Sequence, residues 1–222
     1  LKRMTLDEKV GQLLAPAINA VYTPSDSDVD EQKLHLVRDL HVGGMHVFGG
    51  GEPMPQALLN PNYGTSGGAS RKGDPYAAAV FLNRLQQAAK IPLLTTADFE
   101  GGANYILNGA TRFPRGMAIG ATRDPRLAFT AGRLAAEEGR SVGVMVDFYP
   151  VLDVNNNPRN PIINLRSFGE DPAFVSEMGR QFIKGIQAGG MLSTAKHFPG
   201  HGDTAVDTHI GLAVIQHPRE HL

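Results

Sequence analysis

Three Asp-Pro pairs set the frame of this chain. Asp74-Pro75, Asp124-Pro125 and Asp171-Pro172 each place a side-chain acceptor where a helix needs a cap, followed by a ring suited to the first helical turn. Each pair opens a helical stretch, predicted over 75–90, 125–140 and 172–188, and each stretch gives way to a short apolar run at 91–97, 142–148 and 191–195. The caps stand 50 and then 47 residues apart, too long and too uneven for a solenoid but suited to helix–strand units with large strand-to-helix loops.

Two more elements stand upstream. Thr5-Leu6-Asp7-Glu8 followed by Val10, Leu13 and Leu14 reads as a capping box on an amphipathic helix, and 12–18 offers a first strand. Leu34, Val37 and Leu40 share one face of a helix predicted over 30–40, which the Gly43-Gly44 pair stops. Met45 to Phe48 follows as a short buried strand.

Helices alternating with buried strands imply a parallel sheet, either doubly wound or closed into a barrel. Polar residues decide between them. Asp98-Phe99-Glu100 follows one strand, Tyr149-Pro150-Val151-Leu152-Asp153 another, and Lys196-His197 a third. Reactive side chains at the carboxyl ends of several strands are the habit of a TIM-type (β/α)8 barrel, whereas a doubly wound sheet concentrates its signal in one Gly-rich turn. Gly49-Gly50-Gly51 leads into a Pro/Gly/Asn-rich loop over 49–73 and not into a helix, so neither a dinucleotide fingerprint nor a P-loop is present. About five strands are counted where a barrel needs eight. The expectation is therefore an incomplete α/β barrel, with 1–222 as its N-terminal portion and 217–222 as the start of another helix.

Composition narrows the chemistry. A hydrophobic share of 41% supports a folded core, and a net charge of −1 with no run of one sign argues against nucleic acid or an anionic membrane as partner. No stretch is apolar enough to span a bilayer and no signal peptide stands at Leu1, which leaves the compartment open. The absence of cysteine excludes disulfides, thiolate metal sites and a cysteine nucleophile. Five of the 8 histidines (His197, His201, His209, His217 and His221) fall in the last 26 residues, and clustering of the residue that titrates near neutrality hints at a site.

The densest segment is Ala195-Lys196-His197-Phe198-Pro199-Gly200-His201-Gly202-Asp203-Thr204-Ala205-Val206-Asp207-Thr208-His209, a loop directly after a strand. Asp207 and His209 are two residues apart; in an extended segment they would point to one side, where the carboxylate fixes the imidazole tautomer for general acid/base work. Two other readings stay open on spacing alone. His197, His201, Asp203 and His209 could form a mixed nitrogen/oxygen metal site, or the loop could be polar residues satisfying backbone groups.

The Lys-His-Phe-Pro-Gly-His-Gly-Asp-Thr run with its following Asp-x-His resembles the signature of family 3 glycoside hydrolases, in particular the β-N-acetylglucosaminidase (β-hexosaminidase) branch. Other segments are similar along the chain: Met4 to Leu13 to the family's opening helix, Asp98-Phe99-Glu100-Gly101-Gly102 to its Asp-x-Glu-Gly-Gly, and Pro150 to Asp153 and Arg166 to Pro172 to its central motifs. The resemblance implies a retaining double displacement on terminal β-linked N-acetylglucosamine, with Asp207 and His209 as acid/base dyad and Asp98, Arg166, Lys196 and His197 holding the sugar. It implies no cofactor and no metal. The nucleophile, a second carboxylate, is expected on a later strand of the remaining barrel segment, because no Asp within 1–222 matches it; the chain alone is expected to be inactive.

Other residues read more plainly. Asp153 is expected to cap the Asn-rich turn behind it, Glu100 to orient loop backbone, and Asn155 to Asn160 to supply turn chemistry. Ala103-Asn104-Tyr105-Ile106 departs from the Arg-rich residues of members that recycle cell-wall sugars, so the resemblance does not extend to the aglycone. A β-glucosidase or a glycoside phosphorylase of the same family, a metal-dependent hydrolase and a non-catalytic sugar-binding fragment are the alternatives.

Overall fold

The computed structural model describes residues 1–49, 72–215 and 217–218. Its spine is five parallel strands: β1 (Ala17–Asn19), β2 (Gly44–Phe48), β3 (Leu94–Ala97), β4 (Val146–Asp147) and β5 (Leu192–Ser193). Among the described residues, each pairs only with its neighbours in the chain, in the order β1-β2-β3-β4-β5. A doubly wound sheet reverses its order at a switch point; this one does not, and it is an open segment of a TIM-type barrel. Most of the expected loop at 49–73 and the last four residues of the expected terminal helix lie outside the described residues.

Between the strands run α1 (Leu6–Gly11), α2 (Asp28–Arg38), α3 (Pro75–Ala88), α4 (Gly116–Ala121), α5 (Pro125–Ser141) and α6 (Pro172–Ala188). The caps act as the sequence predicts. Asp74 accepts from the Ala77 N–H, Asp124 from Arg126 and Asp171 from Phe174, each with Pro at the start of the helix. Thr5 and Glu8 close a reciprocal capping box at α1. Among the described residues, no helix is long and apolar enough to cross a membrane.

The strands occupy only part of each apolar run. β1 starts at Ala17 and not at Gln12, because Gln12 closes α1 and its side-chain amide donates to the His41 carbonyl at 2.8 Å. The short helix α4 and the 3₁₀ turns at Ala103–Tyr105 and Asn164–Arg166 carry no periodic apolar signal and were not expected. Helices α5 and α6 pack face to face, and glycines set their approach: a Cβ on Gly132 would meet the Phe182 carbonyl oxygen at 2.4 Å, and one on Gly185 the Phe129 oxygen at 2.1 Å.

Side-chain parity along the strands positions the site. Met45, Val47 and Ala97 join Phe81, Leu82 and Leu85 of α3 in the core. Residues of the opposite parity, His46 and Phe48 on β2 and Thr96 and Asp98 on and after β3, line a cavity.

Candidate active site

Three segments that leave the carboxyl ends of β3, β4 and β5 converge here. Asp98, the first residue after β3, accepts a hydrogen bond from Lys196 Nζ at 2.6 Å on one oxygen and faces His46 Nε2 at 3.3 Å on the other. Lys196 also reaches Glu100 Oε1 at 2.9 Å. Arg166 then grips Glu100 with two parallel hydrogen bonds, Nε to Oε2 at 2.9 Å and Nη2 to Oε1 at 2.7 Å. Arg166 Nη2 stands 3.4 Å from His197 Nε2, and His197 Nδ1 stands 2.6 Å from Asp153 Oδ2. A carboxylate only accepts, so Nδ1 of His197 carries the hydrogen.

Electrostatics keeps these groups charged. Burial pushes the carboxyls of Asp98 and Glu100 upward, but His46 and Lys196 around the first, and Arg166 and Lys196 around the second, outweigh it and hold each at about 2. Burial likewise opposes the charge on Lys196, and Glu100 and Asp98 reverse that, raising its pKa. Asp153 is lowered, since the His197 side chain and the His201 N–H outweigh its burial. The cluster therefore offers fixed acceptors and donors to a polyhydroxylated ligand, and an unmatched hydroxyl would leave one of them unpaired.

Glu100 and Asp153 differ from their sequence readings. Glu100 does not orient loop backbone; it binds Arg166 and Lys196 through its side chain. Asp153 does not cap the Asn-rich turn. It accepts from the backbone and ring of His197 and from the His201 N–H at 2.6 Å, tying the β4 loop to the β5 loop. Spacing within one segment could not reveal either role, because the partners are more than 40 residues away. The Asn-rich stretch does more than turn the chain: Asn160 Nδ2 donates to the His201 carbonyl at 2.7 Å and Asn157 Nδ2 to the Asp203 carbonyl at 3.1 Å.

The Asp207–His209 pair forms by a different route than expected. Residues 207–209 are not extended but turned. Asp207 Oδ1 accepts the His209 backbone N–H at 3.0 Å and meets its ring Nδ1 at 2.6 Å, an Asx-type turn that brings the imidazole onto the carboxylate. The His209 hydrogen bonds outweigh burial and lower the pKa of Asp207. With Nδ1–H given to Asp207, Nε2 is the nitrogen left to exchange a proton.

All six of Asp98, Arg166, Lys196, His197, Asp207 and His209 line one cavity of about 990 Å³. The four side chains of the alternative metal set turn to separate partners: His197 to Asp153, His201 to Thr204 and Thr208, Asp203 to His217, and His209 to Asp207. Among the described residues, no three His, Asp or Glu side chains form a group able to hold a metal ion.

Among the cavity residues that sequence reasoning missed are two basic side chains, His46 and Arg115. His46 was hidden inside an apolar strand; its ring stacks on Phe148 at 5.1 Å, meets Phe48 edge-on at 4.4 Å and bonds Thr96 Oγ1 at 2.7 Å. A histidine at the inward parity of a buried strand was the available signal. Arg115 stands 3.6 Å from Glu100 and over the Tyr105 ring at 5.4 Å, and nothing in its local sequence marked it.

The chain matches the family description "Glycosyl hydrolase family 3 N terminal domain" over residues 5–222. It is 44% identical over 148 residues to a protein named beta-hexosaminidase A from Pseudoalteromonas piscicida, covering 62% of this chain and 25% of that protein. It is 36% identical over 214 residues to a beta-N-acetylglucosaminidase/beta-glucosidase from Cellulomonas fimi, covering 96% of this chain and 33% of the relative. A solved family 3 beta-N-acetylglucosaminidase from Paenibacillus sp. str. FPU-7 superposes with a TM-score of 0.81 at 36% identity, over 98% of this chain and 38% of that one. The chain thus spans a quarter to a third of the length of these two curated relatives. Match, register and strand order agree, and the chain belongs to glycosyl hydrolase family 3.

Proposed function

We propose that this chain supplies the sugar-binding subsite and the acid/base half of an exo-acting β-N-acetylglucosaminidase, as the N-terminal portion of its barrel domain over 1–222. One observation carries the reading: the 2.6 Å Asp207–His209 contact lies on the same cavity as Asp98, Arg166, Lys196 and His197. The names of the two relatives and the 98% coverage by an N-acetylglucosaminidase structure support the substrate class.

The mechanism is a double displacement. An Asp carboxylate from a later strand of the complete barrel attacks the anomeric carbon as the bond to the leaving oxygen breaks, and His209 Nε2–H passes its proton to that oxygen. In the second step His209 Nε2 takes a proton from water, the water oxygen attacks the anomeric carbon, and the Asp carboxylate is released. Asp98, held ionised, accepts from sugar hydroxyls, while Lys196 and Arg166 donate and His197, its Nδ1–H given to Asp153, presents Nε2 as an acceptor.

His209→Ala in the full-length protein tests this on two glycosides. A loss of kcat/KM confined to the substrate with the poor leaving group is expected, since an activated aryloxide departs without a proton; unchanged rates on both would refute the acid role. The double name of the Cellulomonas fimi relative favours a second reading as β-glucosidase, which comparison of N-acetylglucosaminide and glucoside turnover decides. Turnover measured with and without phosphate separates hydrolysis from phosphorolysis.

A further inference from the structure

The dyad sits on a segment with little else to hold it. Among the described residues, the hydrogen bonds of residues 205–211 are local, Asp207 to His209, Ile210 and Gly211, with a single exception. Thr208, between the two members of the dyad, bonds His201 Nε2 through its hydroxyl at 3.0 Å.

His201 is by contrast held firmly. Its N–H donates to Asp153 at 2.6 Å and its carbonyl accepts from Asn160 at 2.7 Å. The next residue, Gly202, passes so close to the β4 loop that a Cβ there would lie 1.7 Å from the Val154 carbonyl oxygen. The other ring nitrogen, Nδ1, meets Thr204 Oγ1 at 2.5 Å. His201 is buried, 9% exposed, and its imidazole spans two hydroxyls, one at each end.

We infer that His201 is a positioning residue that clasps the Asp207–His209 turn to the loop carrying Lys196 and His197, so that the proton-transfer nitrogen is set over the bound sugar. The Thr204 hydroxyl gives its own hydrogen to the His201 carbonyl at 3.0 Å, so Nδ1 donates to Thr204 and Nε2 is left to accept from the Thr208 hydroxyl. Loss of the clasp leaves the Asx-type turn intact, because that turn is built within residues 207–209, but frees it to move as a unit. A displacement of about 1 Å at a catalytic group costs on the order of a hundredfold in rate.

This inference rests on the acid/base reading proposed above, and the test separates the two. Thr208→Val, which keeps the shape of the side chain and removes the hydroxyl, and His201→Phe, which keeps a ring and removes both nitrogens, are compared with His209→Ala in the full-length protein. Thr208→Val is expected to lower kcat/KM on a poor-leaving-group glycoside by about tenfold or more and on an activated aryl glycoside by no more than about twofold. The double variant Thr208→Val/His209→Ala is expected to be no slower than His209→Ala alone, since the clasp acts only through that histidine. A Thr208→Val enzyme slowed equally on both glycosides, or on neither, overturns the clasp. Should His209→Ala itself slow both glycosides equally, the acid/base reading fails first. His201→Phe is expected to repeat the leaving-group dependence; a variant that melts earlier yet shows no such dependence marks a purely structural histidine and also overturns the proposal.

Discussion

Asp207 Oδ1 serves His209 twice, accepting its backbone N–H at 3.0 Å and holding its ring Nδ1 at 2.6 Å. One oxygen therefore shapes the turn and selects the tautomer. The two effects can be separated by substitution. Asp207→Asn keeps an oxygen able to accept the backbone N–H but removes the negative charge that stabilises an imidazolium. Activity on an unactivated glycoside is expected to fall by about a hundredfold or more with KM little changed, and Asp207→Ala, which also loses the turn, to fall further. Steady-state kinetics on both variants checks the order.

Glu100 makes stability depend on pH. Its carboxyl is held at about 2 against an ordinary 4.5, with burial outweighed by Arg166 and Lys196. A depressed carboxyl contributes stability that is present above the unfolded value and lost as pH falls from there toward 2. Asp98, also at about 2, acts in the same window. Glu100→Gln is expected to lower stability at neutral pH and to flatten the acid limb of a urea-midpoint profile. A limb as steep as that of the parent protein would contradict this account of the carboxyl.

Asp147 should act with the opposite sign. Its Oδ1 accepts the Phe99 N–H at 2.9 Å, fixing the backbone between Asp98 and Glu100, while its other oxygen is buried without a partner among the described residues. Burial, reinforced by the neighbouring carboxylates and only partly offset by the Phe99 N–H, raises its pKa well above the ordinary value. A raised carboxyl contributes stability that is full below its unfolded value and is lost as pH rises toward the folded one. Asp147→Asn retains the acceptor and cannot ionise, so its melting temperature relative to the parent protein is expected to rise with pH. Parallel profiles would contradict this.

His46 supports Asp98 from the side opposite Lys196. His46→Leu removes that donor and leaves the Lys196 contact. KM for an N-acetylglucosaminide is expected to rise by about tenfold, the scale of one hydrogen bond to a charged group, with kcat less affected. A change in kcat alone would place His46 outside substrate binding.

Much of the architecture was written locally. The three Asp-Pro caps, the Thr5–Glu8 box and the helix at 172–188 depend on contacts within a few residues, and the structure reproduces them. The strand ends that carry Asp98, Asp153 and Lys196 followed from the alternation of helix and apolar run. Two local signals misled. Asp207 and His209 meet through a turn and not through the parity of an extended segment, and Asp153 binds histidines across the barrel mouth and not its own Asn-rich turn.

The sequence by itself determined which residues could do chemistry, because residue type, cap pattern and motif spacing are properties of short stretches. Only the tertiary structure decided which of them touch. Asp98 and Lys196 are 98 positions apart, Glu100 and Arg166 are 66, and His46 reaches Thr96 across 50. Those pairings are set by the register of parallel strands, which brings the carboxyl ends of distant segments to one rim.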